Sequence, residues 1–370
     1  MQWNHAAVAP LPARSAAALV RWATRAAERG GLDWTAWSAE ADALRGLAAR
    51  LLNVGPSLGG ADSISIVPNT TSGLNLVAQG FPFAAGDSVV TTASEFPANL
   101  TPWIALESRG VAVRRVPTRD GAFAVEDIAS ACDGTTRLVS VSAVAFHTGF
   151  RAPWEALGAL CDSRGIVFGL DGIQALGVVP IDAGAPGLDF VASCGHKWLL
   201  GPEGCGILYT SPRLRERLAA PAGWTNLAKD RGDDYHVPER PAYRSDGRRF
   251  EPGTLATPGV FALAESLRLL LEIGVETVAH RVARTHEALL EGLPRLGFTP
   301  VLFDGRPPAS GILAARPPEG KDARFFFRRL LQRNVFVAAR EGFLRFSPHV
   351  ASDEEEASRV LTELKELAAR

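Results

Sequence analysis

This chain of 370 residues has few cysteines, almost no net charge and no long apolar run. Each of these absences argues against one class of protein. The four cysteines include no Cys-x-x-Cys pair, which argues against a disulfide scaffold and against a zinc site. A net charge of −1 gives no overall field that would attract nucleic acid or an anionic membrane. No apolar run reaches the length of a membrane span, and the first residues lack the pattern of a secretory signal. We therefore expect a cytoplasmic protein without a metal site and without nucleic-acid or membrane partners.

Lysine is scarce as well, because only four of the 39 basic residues are lysines: Lys197, Lys229, Lys321 and Lys365. Three of them stand in charged segments that suit solvent, whereas Lys197 stands in SCGHKWLLGPEGCG, between a predicted buried strand and a Gly-Pro turn. Burial lowers the pKa of an amine and makes the amine nucleophilic, as Schiff-base formation requires. Lys197 is therefore the candidate catalytic residue, and the alternative is a structural lysine at a strand end.

Short apolar runs alternate with helix-like segments between about residue 60 and residue 210. Seven of these runs are rich in β-branched residues and predict strands at 63–68, 88–93, 111–117, 137–146, 166–172, 189–195 and 204–210. Amphipathic segments such as 73–79 and 153–163 lie between them. Repetition of strand, helix and strand predicts an α/β fold with a mainly parallel sheet and helices on both faces.

A second unit follows a stretch that has no periodicity. Residues 214–250 are rich in Arg, Asp and Pro, and we interpret them as a long, lid-like loop. A helical pattern returns at Thr257, followed by a strand at 310–317, a helix at 322–334, a strand pair at 335–349 and a terminal helix. The length of the chain and this order of elements predict two domains.

Two polar residues follow the predicted strand IVFGLDG, where a Schiff-base cofactor would need them. Asp171 stands at the carboxyl end of the strand, where α/β sheets place ligand contacts. A carboxylate there can keep the pyridine nitrogen of pyridoxal 5′-phosphate (PLP) protonated, so that the ring withdraws electrons. Gln174 can donate a hydrogen bond to the phenolic oxygen of the same cofactor. Taken alone, Asp171 has the simpler interpretation of a helix N-cap.

Three further segments supply candidate contacts. Thr70 and Thr71 stand at the start of a predicted helix, where hydroxyls and free backbone N–H groups bind phosphate. Phe96, in ASEFPAN, can stack on a pyridine ring, although an isolated Phe more often belongs to the core. Arg345, in FLRFSPH, is suited to clamp a carboxylate, although in this arginine-rich chain a surface ion pair is the plainer interpretation.

Seven motifs in a fixed order carry a resemblance to a known family. They are NHAAVAPLP, PNTTSGLNLVA, SEFPAN, LDGIQALG, SCGHKWLLGPEGCGILY, EPGTLATP and LRFSPH, and they extend from residue 4 to about residue 350. The chain resembles the class V branch of the fold-type I PLP enzymes, which includes class V aminotransferases, cysteine desulfurases, selenocysteine lyases and kynureninases. The resemblance implies a large domain (15–255) with a seven-stranded, mainly parallel sheet, and a smaller α+β domain built from 1–14 and 256–370.

The resemblance also implies a role for each candidate residue. Lys197 forms the Schiff base, and Asp171 contacts the pyridine nitrogen. The other implied cofactor contacts are Thr70, Thr71, Phe96, Gln174, His196 and either Ser193 or Cys194. Thr254, in EPGT, is expected to reach the phosphate across the interface of a homodimer. Arg345 is expected to bind the α-carboxylate of an amino-acid substrate, with Asn4 and His147 as further substrate contacts.

The type of reaction stays open at this point. The resemblance implies that a small amino-acid substrate displaces Lys197 to form an external aldimine, and that the freed lysine removes the Cα proton. Transamination is the first prediction; β-elimination by a C–S or C–Se lyase and epimerisation are the alternatives. A kynureninase-like hydrolase and a non-catalytic protein of this fold are disfavoured, and a cofactor-free α/β hydrolase lacks its G-x-S-x-G motif here. A persulfide-forming desulfurase is disfavoured too, because no cysteine follows Cys205 where such enzymes carry their sulfur acceptor.

Overall fold

The structure is a computed structural model that describes residues 1–228 and 239–369. Its larger sheet consists of β1 (Ile64–Val67), β2 (Ser88–Thr92), β3 (Ala112–Val116), β4 (Thr136–Ser142), β5 (Val167–Asp171), β6 (Leu188–Cys194) and β7 (Gly206–Thr210). The spatial order is β1-β7-β6-β5-β4-β2-β3, and β7 runs antiparallel to both of its neighbours while the other pairs are parallel. Each strand overlaps one predicted run, so the predicted α/β fold with a mainly parallel, seven-stranded sheet is confirmed.

The large sheet is buried on both faces because its strands contribute alternate side chains to two apolar cores. Val139 and Phe168 belong to one core, whereas their neighbours Leu138 and Val167 belong to the other. Successive side chains of a strand point to opposite faces, so a sheet covered on both sides requires continuous apolar runs. This requirement explains why the strands were visible in the sequence.

The helices are α1 (Ala13–Arg29), α2 (Trp34–Leu51), α3 (Thr70–Gly80), α4 (Thr101–Ile104), α5 (Val125–Ala131), α6 (Trp154–Ser163), α7 (Pro212–Arg217), α8 (Thr257–Ile273), α9 (Val275–Gly292), α10 (Ala323–Gln332) and α11 (Glu354–Ala368). Helix α8 packs against α1 and α2 and adds Leu263, Leu267 and Leu270 to the first core. Helix α3 packs on β6 and β7 from the other side. The sequence patterns above did not predict α1 and α2.

A second, smaller sheet lies close to the first residues of the chain. It consists of β8 (Thr299–Pro300), β9 (Leu313–Arg316), β10 (Ala338–Arg340) and β11 (Phe343–Phe346), in the antiparallel order β10-β11-β9-β8. Helices α10 and α11 share a third apolar core with this sheet. Trp3 is buried in the same core, and Asn4 pairs with Ser347 in an isolated bridge. The N-terminal segment therefore packs with the C-terminal unit.

The predicted domain division remains a prediction, and one element bears on it. Helix α8 begins at Thr257, inside the predicted small domain, yet its apolar side chains lie in the first core of the large sheet. Lys229 and part of the predicted lid-like loop lie outside the described residues. Within residues 1–228 and 239–369, no helix has the length and apolarity to cross a membrane.

Candidate active site

Most of the predicted site residues line one cavity of about 310 Å³ at the carboxyl ends of β5 and β6. The chain segments that enclose the cavity are the N-terminal residues 6–8, the start of α3, the turn after β2, the turns after β5 and β6, and strands β10 and β11. Its lining includes Thr70, Thr71, Phe96, Gln174, Cys194, His196, Lys197 and Arg345. Ligands of open α/β sheets bind in this place, beyond the carboxyl ends of the strands. A larger cavity, of about 630 Å³, lies elsewhere and does not contain the lysine.

Lys197 is buried in a tight turn three residues after β6. The turn is closed by hydrogen bonds from Gly195 N to the Cys205 carbonyl and from Leu200 N to the Lys197 carbonyl, 2.8 and 3.0 Å long. Only 9% of Lys197 is exposed, and burial lowers the pKa of its amine, with the positive charge of Arg345 acting in the same direction. Its Nζ lies 5.6 Å from the centroid of the Phe96 ring. The environment therefore favours a neutral, nucleophilic amine.

Asp171, the last residue of β5, has one free carboxylate oxygen. Its Oδ1 accepts a hydrogen bond from Ile173 N at 2.9 Å, whereas its buried Oδ2 has no partner. Burial raises the pKa of this carboxyl, the nearby Glu95 raises it further, and Lys197 lowers it. A buried oxygen without a partner is costly, so Oδ2 calls for a donor that the described residues do not supply.

Gln174 lies deep in the cavity with its amide orientation fixed. Trp198 Nε1 donates to Gln174 Oε1 at 2.9 Å, and Gln174 Nε2 donates to the Ala6 carbonyl at 3.0 Å. An indole N–H can only donate, so the amide oxygen must face Trp198. An NH₂ group carries two donors, and the second remains available for a ligand in the cavity.

The N-terminus of α3 forms another wall of the cavity. Asn69 caps the helix by accepting from Ser72 N at 2.8 Å, and the hydroxyl of the buried Thr70 has no partner. Facing them, Cys194 Sγ lies 3.1 Å from His196 Nδ1. Burial raises the pKa of the Cys194 thiol, which favours its neutral form. Free N–H groups at a helix start, beside hydroxyl and imidazole groups, suit a phosphate.

The structure brings Cys194 rather than Ser193 to this wall. Cys194 lines the cavity, whereas Ser193, the preceding residue of β6, does not. Neighbouring side chains of a strand point to opposite faces, so only one of the two can face α3.

Phe96 stands at the mouth of the cavity rather than in the core. Its side chain is 43% exposed, and its ring meets the Phe146 ring edge-to-face with centroids 5.3 Å apart. A half-exposed ring beside a buried lysine is typical of a ligand-stacking position rather than of a packing residue.

Arg345 on β11 is a buried cation that makes no ion pair with any described residue. Its Nη1 donates to the Phe146 carbonyl at 2.5 Å and its Nη2 to Asn4 Oδ1 at 3.1 Å, while its buried Nε has no partner. Burial lowers the pKa of the guanidinium to about 9, and the charge of Arg340 contributes. Both partners are neutral, so the positive charge is left for an anion from outside.

Arg340, at the end of β10, is a cavity residue that the sequence analysis missed. It lines the cavity together with Lys197 and Arg345, and its Nη1 donates only to the Ala339 carbonyl, at 2.9 Å. No ion pair to it is present in the described part of the chain. The chain has many arginines, so composition could not single it out; its position in a strand pair with Arg345 was the available signal.

Besides Asp171, whose buried side chain does not line this cavity, three predicted contacts lie outside it. Asn4 accepts a hydrogen bond from Arg345 and does not line the cavity, and its contact with substrate stays a prediction. His147 is buried beside the rings of Phe146 and Phe343 and does not line the cavity, so a substrate contact is not supported by its position. Thr254 lines the larger cavity of the same chain and does not reach Lys197.

Comparison with known proteins decides the family. The family described as Aminotransferase class-V matches residues 38–356. The chain belongs to this family. It is a PLP-dependent enzyme, so the predicted family, cofactor and enzyme class are confirmed.

Curated relatives of this class V enzyme are named as desulfurases. It is 34% identical over 233 residues to a probable cysteine desulfurase of Methanothermobacter thermautotrophicus, covering 61% of this chain and 56% of the relative. It is 32% identical over 261 residues to a cysteine desulfurase of Klebsiella pneumoniae, covering 69% of this chain and 62% of the relative. The matches therefore span little more than half of these relatives' own length.

Solved structures share the whole fold at lower identity. The cystine C–S lyase C-DES, in complex with its reaction product cysteine persulfide, superposes with a TM-score of 0.89 at 24% identity, covering 98% of this chain and 96% of that one. The cysteine desulfurase CsdA of Escherichia coli gives a TM-score of 0.84 at 21% identity, covering 99% and 94%. At these identities the likeness establishes the fold alone.

The cavity of this class V enzyme fits PLP on observations independent of the family. Asp171 Oδ2 and the Thr70 hydroxyl are buried without partners, and a pyridine N–H and a phosphate would satisfy them. Lys197 lines the cavity together with Thr70, and its amine, whose pKa burial lowers, is acted on by the charge of Asp171. The residues present therefore match the ring, the phosphate and the aldehyde carbon of the cofactor.

Proposed function

We propose that this chain is a PLP-dependent lyase that cleaves the C–S bond of an anionic sulfur amino acid by β-elimination. The observation that carries the proposal is a cavity lined both by the buried amine of Lys197 and by the guanidinium of Arg345, which has no ion pair among the described residues. The carboxyl of Asp171, with its free oxygen, lies near enough to Lys197 to act on the pKa of that amine. An amino acid presents a matching amine and carboxylate on its Cα, so these groups select for chemistry at that carbon.

The cofactor contacts follow from the same geometry and are part of the proposal. Lys197 holds the cofactor covalently, Asp171 takes its ring nitrogen, and Gln174 donates to its ring oxygen. Phe96 stacks on the ring, and the phosphate lies against Thr70, Thr71, Cys194 and His196. When bound, PLP supplies an electron-withdrawing ring that stabilises negative charge at the substrate Cα.

The protein's own groups then handle the substrate carboxylate and one proton. Arg345 binds the α-carboxylate with guanidinium N–H groups that its neutral partners leave free, and Asn4 fixes the guanidinium plane. Lys197, once released, is a neutral amine in a buried site and accepts the Cα proton. Once that proton is lost, the sulfur substituent leaves Cβ with the bonding electrons. The product is an unsaturated amino acid, which water converts to pyruvate and ammonia.

The position of the thiols favours direct elimination over persulfide transfer. Sulfur transfer to the protein needs a thiolate beside the substrate sulfur. Cys194, the cysteine that lines the cavity, lies at the α3 wall beside His196, whereas the substrate carboxylate would lie at Arg345. The chain has no cysteine after Cys205, including the segment before Arg345. Although the curated relatives are named cysteine desulfurases, we propose that this enzyme releases the sulfur compound itself.

Arg340 narrows the substrate class. Its guanidinium joins that of Arg345 at the same cavity, and neither has an acidic partner among the described residues. A substituent on sulfur that carries its own carboxylate would meet this second cation. We therefore propose a disulfide or thioether amino acid with a distal carboxylate, in keeping with the structural neighbour that is described as a cystine lyase.

We also propose that the active enzyme is a cytoplasmic homodimer. Thr254 lies in the larger cavity with Phe250 and Leu255, in an apolar groove separate from Lys197. A second copy seated there would bury this groove and bring Thr254 to the neighbouring phosphate. Sedimentation at assay concentrations tests this step, and an active monomer would contradict it.

The function is tested by following pyruvate, ammonia and sulfur products from L-cystine and from L-cysteine. We expect equal amounts of pyruvate and ammonia, with cystine preferred. Sulfur release should persist when all four cysteines are replaced by serine, with PLP binding measured separately because Cys194 belongs to the proposed phosphate site. Arg340→Ala should raise KM for cystine more than for cysteine. A persulfide on any cysteine, with activity lost when that residue becomes serine, would contradict elimination; amino-group transfer to a keto acid without sulfur release would establish transamination instead.

A further inference from the structure

Glu95 is a buried acid beside the active site to which the proposed reaction assigns no task. It stands one residue before Phe96, its carboxylate is buried, and it does not line the cavity. Its two oxygens accept four hydrogen bonds. Oε1 accepts from Thr92 Oγ1 at 3.0 Å and from Ser142 N at 2.9 Å; Oε2 accepts from Asn99 Nδ2 at 2.9 Å and from Ser142 Oγ at 2.5 Å.

These four donors belong to three separate pieces of the site. Thr92 ends β2, Asn99 belongs to the turn that carries Phe96, and Ser142 ends β4. Ser142 is in turn the register partner of Asp171 on β5. The carboxylate of Glu95 therefore ties the Phe96 turn to the strand pair that presents Asp171.

The donors also fix the orientation of Glu95. Asn99 Oδ1 accepts from Trp103 Nε1 at 3.1 Å and from Ser140 Oγ at 2.7 Å, so the Asn99 amide cannot flip and its NH₂ must face Glu95. The Asn99 NH₂ and the Ser142 N–H can only donate, so each carboxyl oxygen of Glu95 has one partner that requires an acceptor. Burial raises the pKa of Glu95, and the hydrogen bonds that its carboxyl accepts oppose that shift without cancelling it.

We infer that Glu95 is a positioning residue, whose hydrogen bonds hold the turn of Phe96 and the strand pair of Asp171 in a fixed arrangement for binding of the cofactor. Glu95 also lies close enough to Asp171 to raise the pKa of that carboxyl. The inference rests on the PLP site of the proposed function but not on C–S cleavage, so it can be tested by cofactor binding alone.

The test compares Glu95→Gln with Glu107→Gln, an exposed acid of the following turn. In the first variant the amide NH₂ would face either the fixed NH₂ of Asn99 or the Ser142 N–H, leaving a buried donor without an acceptor in both orientations. We expect about tenfold weaker PLP binding by equilibrium dialysis, a shifted visible absorption of the bound cofactor, and a lower kcat with KM unchanged. Glu107→Gln should match the wild type in all three measurements.

A second variant keeps the test decisive if Glu95→Gln does not fold. The double variant Thr92→Val with Ser142→Ala removes two hydroxyl donors. It leaves in place the carboxyl group of Glu95 and the donors Asn99 Nδ2 and Ser142 N. It should weaken PLP binding in the same direction by a smaller factor. A folded Glu95→Gln protein, or this double variant, with the wild-type PLP affinity and absorption spectrum would overturn the inference. A wild-type enzyme that releases no sulfur compound, together with weaker PLP binding in Glu95→Gln, would contradict the proposed reaction and support the inference.

Discussion

Two buried arginines of this enzyme have opposite surroundings. Arg45, on α2, is 6% exposed and pairs with the buried Glu251 at 2.5 Å and with Asp42 at 2.7 Å. Glu251 also accepts from Ile66 N at 2.8 Å, so that pair is tied to the backbone of β1. Arg345 is 1% exposed and has only a carbonyl and an amide oxygen as partners.

The difference separates a structural charge from a binding charge. Removing a cation from water is costly unless an opposite charge and hydrogen bonds compensate for the lost hydration. Around Arg45 the protein supplies that compensation itself. Around Arg345 it does not, and the stability lost there is regained only when an anion binds. Burial by itself therefore says little about function, whereas burial without a partner marks the site.

Replacing Lys197, the other buried cation of the cavity, should give the largest effect. Lys197→Ala should abolish turnover and prevent borohydride from fixing the cofactor to the protein, because no other amine lines the cavity among the described residues. Non-covalent PLP binding and the fold should persist. Lys321→Ala is the matched control, since Lys321 Nζ donates to the carbonyls of Leu367 and Ala368 at the end of α11. A borohydride adduct mapped to Lys229, Lys321 or Lys365 in the wild type would refute the assignment.

Arg345→Leu should separate binding from stability. Loss of charged hydrogen bonds to a carboxylate costs about 1.5–3 kcal/mol, so KM should rise roughly 10- to 150-fold. The free energy of unfolding of the cofactor-free protein should not fall, because the variant removes an uncompensated buried charge. Arg345→Lys should remain impaired, since an ammonium cannot reproduce the planar guanidinium. Steady-state kinetics and chemical denaturation measure the two effects, and a large loss of stability with an unchanged KM would contradict the comparison.

Arg45→Leu should show the reverse. It leaves the buried carboxylate of Glu251 without its cation, a change that typically costs about 3 kcal/mol of unfolding free energy. Substrate KM should stay near the wild-type value, because Arg45 does not line the Lys197 cavity. The double variant Arg45→Leu with Glu251→Leu should recover part of the loss. Urea denaturation measures the free energy of unfolding of each variant. Equal values for the single and double variants would argue against a structural ion pair.

The sequence predicted the parts of the site that follow buried strands. Lys197 and Asp171 were visible because a charged residue at the end of an apolar run breaks a strong local pattern. The fold could be predicted because the apolar runs of the buried strands form that local pattern. Arg345 had the correct residue type, but its lack of an acidic partner is a property of three-dimensional contacts. Arg340 was missed because the cavity that it lines is formed by distant segments. Glu95 was missed because its decisive partner, Ser142, is 47 residues away in the sequence.

The structure gives the N-terminal segment a contact that the sequence did not indicate. Asn4, which was predicted by resemblance to contact substrate, accepts a hydrogen bond from Arg345. Helices α1 and α2 pack on α8, more than 200 residues later in the chain, and such pairing leaves no mark within a short window of sequence. Long-range partners, rather than local propensity, set the limit of the sequence analysis.

Asp171→Asn should give the smallest effect, a change in how stability depends on pH. Burial raises the pKa of Asp171 from 3.8 to about 7, so between these values the folded protein holds a proton that the unfolded chain has released. The unfolded state then binds fewer protons, and the free energy of unfolding of the cofactor-free wild type falls as the pH rises through this window. Asparagine has the same shape and no charge. The variant should therefore match the wild type near pH 4 and have the higher free energy of unfolding at pH 8, while binding PLP more weakly. Because Lys197 acts on the same carboxyl, the series is repeated with Lys197→Ala, where the gain at pH 8 should be larger. Parallel curves for wild type and variant from pH 4 to pH 8 would show that Asp171, like Arg45, has its charge compensated inside the protein.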